Sequence, residues 1–544
     1  MLLRGRALEI LCLTLGAAAV LWVYSPSLAG KFVYDDHYFV ENNAAVRTLA
    51  APWRFFTDPS TLSASPGLNQ DAWRPLTTLS LAADYAAAGP VPGRFRLVNL
   101  LLHCCSVVLL YYLAGLLGLA APWAGLAAAF FAFFPAGVEA FAWISGRSGA
   151  LSTTLSLASL YCFVRRVRGG GRGCLYAAGF FCAAALLSRE VSAVLPLLAA
   201  AGLYLYGGRR RHYAEAALWL ALPTAVFILL RFAVLGHFHQ PAGASLSAGT
   251  QAALPFILFA KYAEITLWPF SMLVSYSDLV MLRLDSPGFY LPFAFLFLAL
   301  YALLLYALRR QGARAAAFGL AWYGLALLPV LNIAQMTFYM AERLLYLPAA
   351  GAALALGGAG QALASRPRLR SVFAAGALLL LAAFPAEIRR RLPVWADDAA
   401  LWSYDARKNP HNYLTRMRLA EALAARGESR GAREALEAAL ASARTAGQRS
   451  MILNQLGVLF ASEGAASRAE LYFSSAAALN PEDHLARFNL ARCSLLKGDR
   501  EAARRHAAEA LRLSPGYTPA QELLESLPQK RTPARGGRPS VPAR

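Results

Sequence analysis

Charged residues are scarce in this chain of 544 residues. They make up 15% of the sequence, whereas hydrophobic residues make up 58% and the mean hydropathy is +0.43. This composition excludes a soluble globular protein, because so much apolar surface must face lipid. Acidic residues are fewer than basic residues, and the formal net charge is +21. The arginines responsible lie in short clusters between apolar runs, which is typical of a membrane topology signal and not of a nucleic-acid partner.

Several chemical motifs are also missing. Six of the seven cysteines lie within apolar segments, so neither a disulfide framework nor a zinc-binding spacing is present. His37 could help to bind a metal, and His237 with His239 has a metal-like spacing, but no third ligand is evident, and we predict no metal site. The chain lacks a Walker loop, a GxSxG nucleophile elbow and a dinucleotide-binding fingerprint. These absences remove the sequence basis for a nucleoside triphosphatase, an α/β-hydrolase or a dinucleotide-dependent enzyme.

Apolar runs dominate residues 1–392. We predict an all-α, polytopic membrane bundle of about eleven spans, the first of them an uncleaved helix. The spans are expected at 7–24, 97–117, 121–136, 149–164, 174–187, 190–206, 213–235, 289–308, 315–333, 344–363 and 371–387. The stretch 254–271 is less apolar, and its Lys261 and Glu264 suit the external membrane surface better than the bilayer centre.

Five arginine clusters set the predicted orientation. Placing all of them on the cytoplasmic side obeys the positive-inside rule and puts the long first loop, residues 25–96, outside. The clusters are Arg4 with Arg6, Arg165 to Arg172, Arg209 to Arg211, Arg309 to Arg314, and Arg366 to Arg370. The triplet Arg389 to Arg391 is the exception, because this orientation places it outside.

Residues 393–527 repeat with a period of 34 residues that matches tetratricopeptide hairpins. Two units align well, and an earlier unit is offset by a few residues and lacks its terminal proline. Three such hairpins are enough to bury a shared core. Residues 528–544 are rich in Pro, Gly and Arg, and we predict a disordered basic tail there.

The first external loop is the best place to look for chemistry, because it is too long for a simple connection. It opens with FVYDDHYFVENN, in which Asp35 and Asp36 lie just beyond the first span. A carboxylate there could act as the general base on an acceptor hydroxyl. Alternatively, the pair caps a short helix or turn. Spacing alone does not decide between these interpretations.

Other unusual charges collect on the same predicted side. Charges near bilayer depth are costly and usually face a cavity or a partner, although each one alone could simply anchor a helix end. Together they predict one external pocket with carboxylates for acid-base chemistry and arginines for phosphate. These residues are Arg74, Glu139, Arg147, Arg189, Glu190, Glu342 and Arg343.

An ordered set of strings carries a resemblance to a known family. The strings are FVYDDHYFVENN, WRPLTTLSLAADY, RLVNLLLH, FPAGVEAFAWISGR, SRE, LWPF and AERLLYLP, followed by the tetratricopeptide units. In this order the chain resembles the transmembrane and tetratricopeptide-repeat O-mannosyltransferases and their bacterial relatives, within the GT-C glycosyltransferase superfamily. The set covers nearly all of the predicted membrane region.

The resemblance implies a reaction. It places the role of catalytic base on Asp35 or Asp36 and brings the arginines near the phosphate of a polyprenyl-phosphate sugar, which is the donor substrate. The implied reaction is inverting transfer of a hexose, with mannose favoured, to a hydroxyl of a protein or glycan acceptor recruited by the repeats. RFRLVN replaces the family's usual residues before the second span, which leaves the acceptor open. The Ala- and Arg-rich, Lys-poor composition favours a bacterial inner membrane with periplasmic repeats.

Two other functions fit parts of the sequence. The helices could merely anchor a noncatalytic tetratricopeptide scaffold for envelope assembly, since such arrays bind peptides and proteins. That interpretation leaves the long loop and the external charges unexplained. A transporter would need charges near the membrane midplane and repeated broken helices, and the sequence indicates neither.

Overall fold

The computed structural model describes residues 2–65, 72–237, 248–276, 287–333 and 339–527. Within these ranges the chain is all-helical and contains no strand. It divides into two compact units, Met1–Leu401 and Trp402–Arg544. The predicted tail, 528–544, and residues 66–71 of the first loop lie outside the described residues.

The first unit contains most of the helices. The α-helices are α1 Leu2–Tyr24, α2 Arg54–Thr57, α3 Pro75–Ala88, α4 Pro92–Leu116, α5 Ala121–Ala132, α6 Val138–Ala142, α7 Arg147–Val167, α8 Gly173–Ser188, α9 Leu195–Tyr206, α10 Arg210–Ala216, α11 Leu222–Leu235, α12 Ala248–Leu267, α13 Pro287–Arg310, α14 Arg314–Leu327, α15 Tyr346–Leu363 and α16 Pro367–Arg391. Helix α17, Asp398–Lys408, begins in this unit and ends in the second.

The chain is a multi-pass membrane protein, but fewer helices meet the requirements for a span than the predicted eleven. Among the described residues, six helices are long and apolar enough, or seven if α5 and the bent segment Pro135–Ala142 form one span. Helices α8, α9 and α14 are apolar but short, with 16, 12 and 14 residues. At about 1.5 Å per residue, such helices fall short of a bilayer core of about 30 Å. The count of eleven is therefore not confirmed.

Small residues allow the short helix α14 to pack closely against the longer helix α15. Gly319 of α14 faces α15 so closely that a Cβ there would lie 2.3 Å from the backbone nitrogen of Ala355. Gly351 and Gly358 of α15 are equally crowded by the backbone of α14. Close approach at small residues is the usual way in which helices associate in membranes.

Three helices run between the same two ends of this unit. Helix α7 begins at Arg147 and is followed by the cluster around Arg168, and α9 follows Arg189 and precedes Arg209. Helix α15 likewise follows Arg343 and precedes Arg366. The predicted site residues and the predicted cytoplasmic clusters therefore lie at opposite ends of the same helices.

The described residues of the long first loop, 25–65 and 72–96, are folded and not extended. Short turns and helices α2 and α3 surround an apolar cluster of Phe32, Val40, Val46, Phe55, Leu81, Ala82, Phe95 and Ile144. Residues after the predicted domain boundary at 392–393 pack onto this loop, because Lys31 N donates to Ala396 O at 2.8 Å and Tyr34 N donates to Asp398 Oδ1 at 2.7 Å. The first unit consequently extends to Leu401.

The second unit is an array of helical hairpins. The hairpin helices are α18 Tyr413–Ala425, α19 Ser429–Ser442, α20 Ala446–Ser462, α21 Ala466–Leu479, α22 His484–Leu496, α23 Arg500–Leu513, with a final α24 Thr518–Ser526. Gly427, Gly464 and Gly498 turn each hairpin with positive φ, a conformation that favours glycine. Gly457 packs directly on the Phe473 ring, where a Cβ would lie 2.5 Å away.

Candidate active site

The two aspartates of the first loop, Asp35 and Asp36, lie in different environments. Asp36 is fully buried, and its carboxylate accepts hydrogen bonds from Val33 N at 3.2 Å, from Ser145 N at 2.8 Å and from the Ser145 hydroxyl at 2.6 Å. Burial raises the pKa of Asp36 to about 6, although the Ser145 bonds and the charge of Arg96 act to lower it. Asp36 thus ties the loop to the turn before α7.

Asp35 faces differently from its neighbour. It is half-buried, and its carbonyl oxygen accepts from Tyr38 N and Phe39 N at 2.9 Å each, which closes a tight turn. Its carboxylate is near enough to Arg343 to attract that guanidinium electrostatically. Of the two aspartates, Asp35 is the one whose side chain remains partly accessible at the charged end of the bundle.

Glu139 and Arg343 form an ion pair beside Asp35. The Glu139 carboxylate accepts a bond from the Arg343 guanidinium and another from Arg343 N at 2.8 Å. The guanidinium also lies over the Trp143 ring, 4.9 Å from its centroid. Glu139 is 3% exposed. These contacts fix the cation in one orientation next to the loop carboxylate.

Arg189 is also buried, but unlike Arg343 it has no ion-pair partner among the described residues. It is 4% exposed, yet its side chain forms no hydrogen bond or ion pair within the described ranges, and its Nε is buried without a partner. Burial, and then the positive charge of Arg74, lower its pKa. A Cβ at Gly149, in the first turn of α7, would lie 3.1 Å from its Nη1. The guanidinium therefore lies against the first turn of α7, the end of the helix whose dipole favours an anion.

Arg74 and Glu190 pair beside it. Arg74 donates to the Glu190 carboxylate through Nε at 3.1 Å and Nη2 at 2.7 Å, a two-pronged geometry. Thr77, one turn into α3, also donates to Ser188 O at 2.9 Å. This pair links the first loop to the turn that carries Arg189, and it leaves the Arg189 charge without a directly bonded carboxylate.

Glu342 explains the anomalous arginine triplet. Glu342 is 1% exposed and binds Arg391 at 2.7 Å, while the Tyr276 hydroxyl donates to it at 2.7 Å. Arg389 lies over the Trp22 ring, and Arg390 pairs with Glu387 at 2.7 Å. The triplet is therefore engaged in internal contacts at the site end of the bundle, and it need not act as a topology signal.

Arg147 is buried like Arg189 but fully bonded. Its side chain donates to Asn99, to Asp84 at 2.5 Å and to the Phe95 carbonyl at 2.9 Å. Arg147 therefore holds α3, α4 and α7 together, and its guanidinium is already bonded within the chain. Asp84 and Asn99 lie within the strings that carry the family resemblance, but the sequence did not reveal their partner.

A further polar contact joins the loop to the start of α17. His37 contacts Glu41 and lies 2.7 Å from the Asp398 carboxylate. The Asp398 hydrogen bond, together with the Glu41 contact, raises the pKa of His37 to about 9, although partial burial acts in the opposite direction. Asp398 lies beyond the predicted domain boundary, so no sequence signal indicated it. In the described part of the chain, no group of three His, Cys, Asp or Glu side chains could hold a metal ion.

Comparison with known proteins identifies relatives for part of the chain. It is 36% identical over 193 residues to Protein O-mannosyl-transferase Tmtc2 of Drosophila melanogaster, a match that covers 33% of this chain and 20% of that protein. It is 33% identical over 164 residues to Protein O-mannosyl-transferase TMTC1 of Homo sapiens, covering 28% and 18% respectively. No protein-family model matches.

These matches confirm the resemblance to TMTC-type protein O-mannosyl-transferases that the ordered strings indicated. The matched region spans only about a fifth of the length of these relatives. A solved structure described as the APC/C hetero-tetramer Cut9-Hcn1 aligns over 83% of this chain and 89% of that one at 14% identity, with a TM-score of 0.24.

Proposed function

We propose that this chain is a GT-C-type membrane glycosyltransferase that moves a hexose, with mannose favoured, from a polyprenyl-phosphate donor to an acceptor hydroxyl. The observation that carries the proposal is the unbonded, buried guanidinium of Arg189. It interacts electrostatically with Glu139 and Arg343, the ion pair that lies beside Asp35. A desolvated charge without a partner is costly. An anionic substrate group would remove that cost.

Arg189 would bind the phosphate of the donor. Its Nη1 lies against the first turn of α7, so the phosphate would also meet the positive end of a helix dipole. Arg343 is held by Glu139 on the side nearer Asp35. As the sugar leaves, charge grows on the phosphate, and preorganised cations stabilise that charge.

Asp35 would act as the general base. Its carboxylate would take the proton of the acceptor hydroxyl while the acceptor oxygen attacks the anomeric carbon, and the bond from that carbon to the phosphate oxygen would break. The electron pair stays with the polyprenyl phosphate, and the anomeric configuration inverts. Asp36 would be a positioning residue, because its oxygens are already committed to Ser145 and Val33.

The assignment has consequences for the location of the enzyme and for its acceptor. A lipid-linked donor requires a site at a membrane face, and the positive-inside rule puts the face with Asp35 outside the cytoplasm. The composition favours a bacterial inner membrane with the repeats in the periplasm. The tetratricopeptide hairpins would recruit a protein or glycan acceptor, as such arrays commonly bind peptides.

The test replaces each aspartate in the purified full-length protein. In proteoliposomes with radiolabelled mannosyl-phosphoryl-polyprenol and a library of Ser- and Thr-containing peptides, Asp35→Asn should lower transfer by about 10²- to 10⁴-fold, the usual contribution of a general base. Donor binding should stay within about twofold, since the base does not contact the phosphate. Asp58→Asn is the matched control, because Asp58 lies in the same loop and its carboxylate bonds Arg54 and Ser60, away from Asp35 and Arg189 in the hydrogen-bond network.

Asp36→Asn separates the two roles. It should weaken the attachment of the loop, and therefore lower thermal stability, with a smaller loss of transfer than Asp35→Asn. If Asp36→Asn abolished transfer and Asp35→Asn did not, the assignment of the base would be reversed. If both variants transferred sugar at the unmodified rate, neither aspartate would be the base. If the unmodified protein transferred no sugar from this donor, the glycosyltransferase proposal would fail, and a noncatalytic scaffold would be the better explanation.

A further inference from the structure

A large cavity lies at the end of the bundle opposite the candidate active site. Its volume is about 1010 Å³. The apolar part of its lining includes Leu113, Leu160, Leu198, Phe318 and Trp322. The basic part comes from Arg168, Arg209, Arg314 and Arg366. The cavity therefore combines a hydrophobic wall with a group of cations.

The four arginines come from four of the five sequence clusters. Arg168 follows α7, Arg209 precedes α10, Arg314 begins α14 and Arg366 follows α15. Residues far apart in the sequence are thus brought to one cavity, at the ends of helices whose other ends carry Arg147, Arg189 and Arg343. Helix α7 alone has 21 residues, which at about 1.5 Å per residue separates the two sites by roughly 30 Å.

These arginines are not neutralised within the chain. All four are exposed, and none forms an ion pair with another described residue. No Asp or Glu lines the cavity. By contrast, Arg166 of the same cluster as Arg168 is paired with Glu215 at 2.6 Å, and the side chain of Arg310 contacts the Tyr306 hydroxyl at 2.9 Å. Within the described residues, no carboxylate pairs with any of the four arginines that line the cavity.

We propose that this cavity binds an anionic glycerophospholipid, with its phosphate at the four arginines and an acyl chain along the apolar wall. The volume is at the upper end of the range of about 300–1,000 Å³ that is usual for small-molecule sites. Basic pockets between membrane helices on the cytoplasmic side are suited to anionic lipid headgroups, and the predicted orientation puts this end there. The proposal uses no residue of the candidate active site and is independent of the proposed reaction.

The bound lipid would hold several helices together. Helices α4, α7, α9, α14 and α15 each contribute to the lining, and α9 and α14 are too short to reach across the bilayer alone. A ligand that binds only the folded bundle stabilises it by mass action. Phosphatidylglycerol should therefore raise the thermal midpoint of delipidated protein, whereas phosphatidylcholine, whose headgroup has no net charge, should not.

The test removes two cavity arginines and compares them with two neighbours. The variant Arg168→Gln/Arg314→Gln should weaken phosphatidylglycerol binding by about 30-fold, since each interfacial arginine contributes roughly fivefold. Native mass spectrometry of the full-length protein in detergent gives the dissociation constant. The control Arg165→Gln/Arg310→Gln removes the same charge from the same clusters at residues that do not line the cavity, and it should change binding less than about twofold.

Each other outcome would overturn the proposal. Equal weakening in both double variants would mean diffuse electrostatic attraction to the surface. Equal affinity for phosphatidylcholine would remove the role of the arginines. Competition by inorganic phosphate alone, or retention of polyprenyl phosphate but not phosphatidylglycerol, would assign the cavity to another ligand. All four substituted side chains are exposed, so we expect both double variants to fold. Without added lipid, an unchanged gel-filtration retention volume and an unchanged thermal midpoint would establish this.

Discussion

Two buried arginines should respond in opposite directions to the same substitution. Arg147 donates to Asn99, Asp84 and the Phe95 carbonyl, whereas the Arg189 side chain forms no hydrogen bond within the described residues. Removing one partner of a buried, bonded charge costs about 3–5 kcal/mol. Arg147→Met should therefore destabilise the first unit by about that amount, because Asp84 and Asn99 lose their donor.

Arg189→Met should instead stabilise the protein. Its guanidinium is desolvated without a bond, and an unsatisfied buried group costs about 1–3 kcal/mol. Attraction to Glu190 and Glu139 offsets part of that cost, so we expect a gain of about 1 kcal/mol. Transfer of the sugar should fall by about 10²-fold or more, as when a preorganised donor to a developing charge is removed.

The two variants are compared by equilibrium unfolding in mixed micelles and by the proteoliposome transfer assay. We expect Arg147→Met to lower the free energy of unfolding and Arg189→Met to raise it. Arg189→Met should nevertheless lose sugar transfer. If Arg189→Met destabilised the protein as much as Arg147→Met does, the reasoning would be refuted. It would mean that Arg189 has a structural partner, and the phosphate site would have to be sought elsewhere.

Two further predictions concern packing and pH. Gly319→Leu should prevent the close contact of α14 with Ala355 and abolish a stable membrane unit in detergent, while Gly376→Leu, which meets nothing within 4 Å, should leave the thermal midpoint unchanged. The pKa of His37 is raised to about 9, so its contribution to stability is present below its unfolded pKa of about 6.5 and is lost as pH rises through 9. His37→Gln should flatten the decline of the thermal midpoint between pH 7 and 10, and an unchanged slope would exclude this contact as its cause.

Local patterns made much of the fold predictable. Apolar runs predicted helices because backbone groups in lipid must bond within one segment, and each of the eleven predicted runs falls largely on a helix. The tetratricopeptide period predicted three hairpins, and glycines with positive φ at residues 427, 464 and 498 turn them. The number of eleven spans is not confirmed, because hydropathy along a run does not reveal that helices such as α9, with 12 residues, are shorter than a bilayer core requires.

The sequence alone determined the helices, the repeats, the family resemblance and the set of charges at the site, since each depends on residue type, order or local period. Only the tertiary structure decided which charges are already bonded. It buried Asp36 against Ser145 and left Asp35 half-buried, locked Arg147 to Asp84 and left Arg189 unbonded, and brought four distant arginines to one cavity. Hydrogen bonding and burial depend on neighbours that lie tens to hundreds of residues away, and no local pattern encodes those distances.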